Sequence, residues 1–236
     1  MSVKITIIYD KPSGKKDLRG GFGFSCLIDI SGKKVLFDTG SRADILLHNL
    51  KKLKIKPREI KTVFITHKHW DHMGGLFGFL EKNNNCNVVL PGSFSKEFQN
   101  EVRSMGAKVK IARKKSLIFN GLFSSGTFEG DIPEQAAVMF SKNGLVIIAG
   151  CAHPGIAYMV RKIAVGFKKP VHAVVGGFHL CESSYTEIIS VARSFKRVRV
   201  QKIAACHCTG KKAHKIFRKQ FEKRNIRTVL GTELTM

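Results

Sequence analysis

The chain is poor in acid: its 236 residues hold 17 aspartates and glutamates against 41 lysines and arginines, a formal net charge of +24. A positive surface favours phosphates, nucleic acid or an anionic membrane, but it also simply keeps a protein dissolved, so the charge names no partner. Long apolar runs are missing too. None approaches the 18 residues that would span a bilayer, so no membrane partner is expected. Residues 1–9, MSVKITIIY, are too short a run for a secretory leader before Asp10, which implies a cytoplasmic protein. The CxxC spacing of zinc ribbons is absent. The six cysteines (Cys26, Cys86, Cys151, Cys181, Cys206, Cys208) are expected as reduced thiols in that compartment. No repeat, low-complexity tract or linker divides the chain, so residues 1–236 read as one domain.

What is present is globular. At 43% hydrophobic and 9% aromatic residues, the chain is too apolar for a disordered polycation. The charge is uneven: residues 161–236 carry 17 lysines and arginines against four acids, Glu182, Glu187, Glu222 and Glu233.

Runs rich in β-branched and aromatic residues predict strands at 3–9, 22–30, 34–37, 62–66 and 87–90. The series continues at 116–119, 136–141, 145–149, 171–175, 202–205 and 227–230. Helical spacing predicts helices at 44–53, 93–105, 156–167, 185–195 and 211–223. Segments 10–21 and 124–133, rich in Gly, Ser, Lys and Asp, read as mobile loops. Three strands open the chain, whereas strand and helix alternate towards its end. That order predicts an α/β four-layer αββα sandwich, two sheets with helices outside.

The strongest chemical signal is Thr66-His67-Lys68-His69-Trp70-Asp71-His72-Met73-Gly74-Gly75, between a predicted strand and the apolar stretch 76–80. Three imidazoles and a carboxylate within six residues of a strand-to-helix turn can converge on a divalent cation. Two such ions a few ångströms apart generate hydroxide and clamp attacking and leaving oxygens. The competing interpretation, an accidental His-rich turn, is much the weaker for a pattern this dense. Three further histidines, His153, His179 and His207, each follow a predicted strand, on the rim where open α/β sheets build their sites.

The HxHxDH turn resembles the signature of the metallo-β-lactamase superfamily, and the likeness spans nearly the whole chain. Phe37-Asp38-Thr39-Gly40 looks like that family's early Asp motif, which buttresses the metal loop. The segments Gly150-Cys151-Ala152-His153-Pro154-Gly155-Ile156, Gly176-Gly177-Phe178-His179-Leu180 and Cys206-His207-Cys208-Thr209-Gly210 narrow the match. Together they are similar to the 7,8-dihydropterin-6-methyl-4-(β-D-ribofuranosyl)aminobenzene-5′-phosphate synthase-like branch, tied to methanopterin biosynthesis in archaea.

The resemblance implies the family's αββα fold and one or two divalent ions, zinc first, with iron or manganese as alternatives. His67, His69 and His153 would hold one ion, and Asp71, His72 and His207 the other. It further implies an enzyme that condenses a dihydropterin methyl diphosphate with a ribofuranosylaminobenzene phosphate, small anionic substrates that a basic surface would attract. Asp71 and His179 are the candidate catalytic residues. His179 would donate a proton or orient a phosphate, or else only satisfy a buried hydrogen bond. A phosphoester hydrolase or nuclease of the same superfamily is the alternative, with nucleic acid as its partner; a thiol-based metal or redox sensor ranks below both.

Two positions depart from the family pattern. Most members place a bridging Asp where this chain has Cys151, which is either a thiolate ligand or an inert buried thiol. The usual separate His before that strand is also missing, since residues 119–140 offer only Glu129, Asp131 and Glu134. These departures leave room for chemistry other than two-zinc hydrolysis.

Overall fold

A computed structural model describes residues 2–11 and 15–236. Its first sheet contains β1 (Val3–Tyr9), β2 (Ser25–Ile30), β3 (Lys33–Phe37), β4 (Ile60–Phe64), β5 (Asn87–Pro91), β6 (Lys108–Ala112) and β13 (Glu233–Thr235). Their spatial order is β13-β1-β2-β3-β4-β5-β6, parallel from β3 to β6. The second sheet is built from β7 (Lys114–Phe119), β8 (Leu122–Phe128), β9 (Glu134–Ser141), β10 (Gly144–Ala149), β11 (Val171–Gly177) and β12 (Lys202–Cys206), in the order β12-β11-β10-β9-β8-β7. Its last three strands in chain order run parallel.

The layering follows from alternation along each strand. In β10, Leu145, Ile147 and Ala149 turn towards an outer core, while Val146 and Ile148 turn towards the facing sheet. That period of two requires cover on both faces. Ile5, Ile28, Val35 and Phe64 from the first sheet meet Val146, Ile148, Ala173 and Val175 from the second in the central core.

Outside the first sheet pack α1 (Ala43–Lys52), α3 (Leu76–Leu80) and α4 (Lys96–Ser104), through Leu46, Leu50, Phe79 and Val102. Outside the second lie α5 (Ile156–Phe167), α6 (Tyr185–Arg197) and α7 (Lys211–Phe221), through Met159, Ile163, Phe195 and Phe217. A short α2 (Trp70–Met73) follows the His-rich turn. Four layers, αββα, result as expected. Ser184 and Glu187 form a capping box that starts α6. Among the described residues no helix is long and apolar enough to cross a membrane.

Three local expectations change. Segment 124–133 is not simply a loop, because β8 runs to Phe128 and pairs with both β7 and β9. Its Ser and Gly residues make a register shift: Gly126 has φ +81°, and the Ser124 hydroxyl donates to Gln135 and accepts from the Gly126 N–H. No strand forms over 227–230; the chain there is tied to the edge of β12 by Ile226 N–H donating to Ile203 O and Thr228 Oγ1 donating to Ala205 O, and β13 follows. The β6 strand is an addition, because its alternating Lys108, Val109, Lys110 and Ile111 give only a short apolar signal. Of segment 10–21, residues 12–14 lie outside the described residues.

Candidate metal centre

Every predicted site residue arrives at one end of the two sheets. The turn after β4 delivers His67, His69, Asp71 and His72; the ends of β10, β11 and β12 deliver Cys151 with His153, His179, and His207. These ends belong to parallel strands, whose crossovers leave an open crevice at their carboxyl ends.

One donor atom each from His67, His69 and His153 lie within 4.8 Å of one another, and so do donors from Asp71, His72 and His207. The second group is tight: His72 Nε2 lies 3.2 Å from His207 Nε2, and Asp71 Oδ2 lies 3.5 Å from His207 Nε2. Cys151 falls between the groups, its Sγ 3.2 Å from His72 Nε2 and within reach of His67 as well. His179 is exposed at the rim, yet one of its ring nitrogens lies within 4.8 Å of donors from Cys151 and His153, and its ring centroid is 4.3 Å from that of His153. That exposure argues against a role confined to satisfying a buried hydrogen bond; its backbone N–H donates to Cys208 Sγ.

Two carboxylates hold the cluster from behind. Buried Asp38 takes the Thr66 N–H at Oδ1 (2.8 Å), and at Oδ2 the Thr66 hydroxyl (2.8 Å) and His72 Nδ1 (2.7 Å). With its proton given to Asp38, Thr66 Oγ1 can only accept from His67 Nδ1, 2.9 Å away. Both imidazoles thus carry hydrogen on Nδ1 and turn the lone pair of Nε2 into the cluster. Gly150 makes the approach possible, since a Cβ there would collide with Thr66 Oγ1.

The second carboxylate, Glu134, is fully buried. It accepts four successive backbone N–H groups: Gly150, Cys151 and Ala152 at Oε1, and His153 at Oε2. That clamp fixes the loop carrying Cys151 and His153. Sequence reasoning gave Glu134 no role; its one signal is a carboxylate at the head of a strand whose middle, Ala136–Phe140, is apolar.

The electrostatics favour neutral imidazoles. Burial drives His67 far below its ordinary value, with the neighbouring imidazoles adding to the effect. Burial likewise lowers His72 to about 4, and His153 and His207 to about 3. Glu134 is pushed up to about 7 by burial, against the pull of its four N–H donors. Cys151 is held well above the thiol range by a hydrogen bond to Cys208 and by burial; Cys208, on the accepting side, is pushed down to about 6.

A cation fits these residues on two grounds. His67 Nε2 and His153 Nε2 are buried and have no hydrogen-bond partner, a costly arrangement that a Lewis acid would relieve. The donor set of neutral imidazoles, a carboxylate and a thiol suits zinc or iron. Asp38, Ala152, His179 and His207 all adopt left-handed backbone (φ +52°, +63°, +51° and +52°), strain of the kind that clusters at functional sites. Beside the cluster opens a cleft of about 530 Å³ that Phe22, Trp70 and Lys11 also line.

Comparison with known proteins agrees with this geometry. The family profile described as the metallo-beta-lactamase superfamily matches residues 18–151. The 7,8-dihydropterin-6-methyl-4-(beta-D-ribofuranosyl)-aminobenzene-5′-phosphate synthase of Methanocaldococcus jannaschii is 29% identical over 250 residues, covering 85% of each chain. A solved metal-dependent hydrolase of the beta-lactamase superfamily superposes with a TM-score of 0.83 at 31% identity, covering 98% of each chain. A ribonuclease Z of Pediococcus pentosaceus is 46% identical, but over 59 residues, which is 25% of this chain and 18% of that one.

Proposed function

The chain belongs to the metallo-beta-lactamase superfamily, and we propose that it is a cytoplasmic, single-domain, metal-dependent enzyme that condenses a dihydropterin methyl diphosphate with a ribofuranosylaminobenzene phosphate. The observation that carries the reading is the pair of donor triads, His67/His69/His153 and Asp71/His72/His207, in a chain similar to the synthase along 85% of its length. In the reaction, the aryl amine nitrogen forms a bond to the methylene carbon on the pterin ring. The carbon–oxygen bond to the diphosphate breaks, pyrophosphate leaves with the electron pair, and the amine proton is released.

Divalent ions held by the two triads, with Cys151 between them, would offset the charge that develops on the leaving diphosphate. Asp38 and Thr66 keep the His67 and His72 lone pairs aimed into the cluster. Glu134 holds the 150–153 loop, and with it His153, at the correct distance. Asp71, buried at the cleft, would add a carboxylate oxygen to the second triad, its Oδ2 lying 3.5 Å from His207 Nε2 and 3.7 Å from His72 Nε2. His179 stands exposed on the rim, where it can take up the amine proton; its hydrogen bond to Cys208 raises its proton affinity. Lys11 supplies positive charge to a phosphate in the same cleft.

The deciding experiment is incubation with both substrates, read by pyrophosphate release and by the mass of the joined product. Release of pyrophosphate with appearance of that mass supports the reading; neither, from protein with stoichiometric metal, ends it. A second reading, phosphoester hydrolysis including RNA cleavage, draws on the short ribonuclease Z similarity and on the net charge of +24. Binding through many phosphates weakens steeply with salt, whereas binding of a small substrate does not. Salt titration therefore separates the two.

A further inference from the structure

Phe22 and Trp70 are both more than half exposed, at 57% and 59%, although 17 of the 21 aromatic side chains here are buried or half-buried. They are 48 positions apart in sequence, yet their rings stack with centroids 5.7 Å apart and planes inclined by 23°. The pair is also anchored. Phe24 N–H donates to Asp71 O at 3.2 Å, and a Cβ on Gly23, whose φ is +129°, would collide with that same carbonyl. Phe22 in turn meets the ring of His207 edge-on, with centroids 6.3 Å apart. Two large rings left open to water, parallel, and fastened beside a cluster of metal-binding residue types form an apolar patch that calls for an occupant.

We propose that Phe22 and Trp70 are a stacking platform that receives the flat heteroaromatic ring of the substrate and sets it against the second triad. A third ring extends the existing stack, as bases do on the aromatic side chains of nucleic-acid-binding proteins. The cleft volume of about 530 Å³ suits a small molecule and is too confined for a folded partner. Lys11, on the same wall, complements an anionic tail. That the ring is a pterin rests on the condensation proposed above; that the platform takes a flat ring rests on the geometry alone. Neither Phe22 nor Trp70 offers an acid or base, so both are binding residues that place the reacting carbon.

The test uses a property of the sequence: Trp70 is the sole tryptophan, so intrinsic emission reports on the platform itself. Metal-loaded protein is titrated with pterin and, separately, with ribose 5-phosphate. The expected result is a saturable change in Trp70 emission with pterin and none with ribose 5-phosphate. Phe22→Ala should weaken pterin binding about tenfold, within the range for loss of one stacking partner, at an unchanged far-UV spectrum. Phe22→Leu, which keeps apolar volume without the ring, gives the same answer if the alanine variant folds poorly.

Unchanged affinity in both variants overturns the proposal, as does an equal response to ribose 5-phosphate. An emission change that grows with protein concentration alone also overturns it, marking the pair as a contact between copies of this chain. Pterin binding that depends on Phe22, without condensation, would keep the platform and remove the reaction. Condensation with an unchanged KM in Phe22→Ala would do the reverse.

Discussion

Asp38 sets the proton on His67 without touching it. The Thr66 hydroxyl, donating to Asp38 at 2.8 Å, has only a lone pair left for His67 Nδ1 at 2.9 Å. The same carboxylate takes His72 Nδ1 directly. One buried acid thus fixes two tautomers, one in each triad.

Asp38→Asn should therefore weaken both triads together. Partners behind a ligating histidine are worth roughly 10–100-fold in metal affinity. Elemental analysis and competition with a chelator should show losses of that order at full retention of fold. Thr66→Val should mainly affect the His67 triad, since His72 keeps its own bond to Asp38. Equal metal content in Asp38→Asn and the parent would refute the relay.

Glu134→Gln removes one acceptor oxygen and places an NH2 group against backbone N–H donors. Each buried N–H left unpaired costs about 1–3 kcal/mol. Thermal melts should fall by several degrees, and hydrogen exchange should quicken at 150–153 before it does elsewhere. A melt at the parental temperature would mean that the four contacts carry little.

Cys151→Ser addresses whether that thiol is a ligand. A metal ion would reverse the order set by burial, because a coordinating thiol is deprotonated outright. Cobalt-loaded protein should show a near-ultraviolet thiolate-to-cobalt charge-transfer band that is lost in Cys151→Ser and kept in Cys208→Ser. A band kept in Cys151→Ser would assign Cys151 to the core instead.

In the metal-free protein Glu134, raised to about 7, gains stability as pH falls, but the buried imidazoles outnumber it in the opposite sense, among them His72 and His207. Their folded values, about 4 and about 3, lie below the ordinary 6.5. The neutral form is favoured on folding, so their contribution is complete above about 6.5 and is lost as pH falls towards the folded values. Each removes up to about 1.4 kcal/mol of stability per pH unit across that window. Urea midpoints should decline from pH 6.5 to 4, and less so with zinc bound at the upper end of that range. A flat profile without metal would contradict the burial of these rings.

The layered fold and the gathering of histidines on one rim were legible in sequence because they rest on local patterns: alternation in strands, a dense HxHxDH turn, and a histidine after each of three strands. The division of those residues into two triads came from the family resemblance. Glu134 was not, since its partners lie 16–19 positions away and no spacing rule links a strand's first residue to a distant loop. Thr66 stood within the quoted motif, but its role is a matter of hydrogen-bond direction, which residue type alone leaves open. The Phe22–Trp70 stack was missed because it depends on tertiary contact between residues 48 positions apart. The strand predicted at 227–230 failed because the edge of β12 is met there by the Ile226 N–H and the Thr228 hydroxyl rather than by a regular ladder.

The two triads draw on both sheets: His72 comes from the first and His207 from the second, 135 positions later in the chain. Any ion they share is a crosslink between the halves, closing a loop longer than most disulfides close. Because these donors meet only when both sheets are in place, the binding free energy of the ion would add directly to the stability of that seam. Chelation would loosen the seam between the sheets, leaving each sheet's own helices in place.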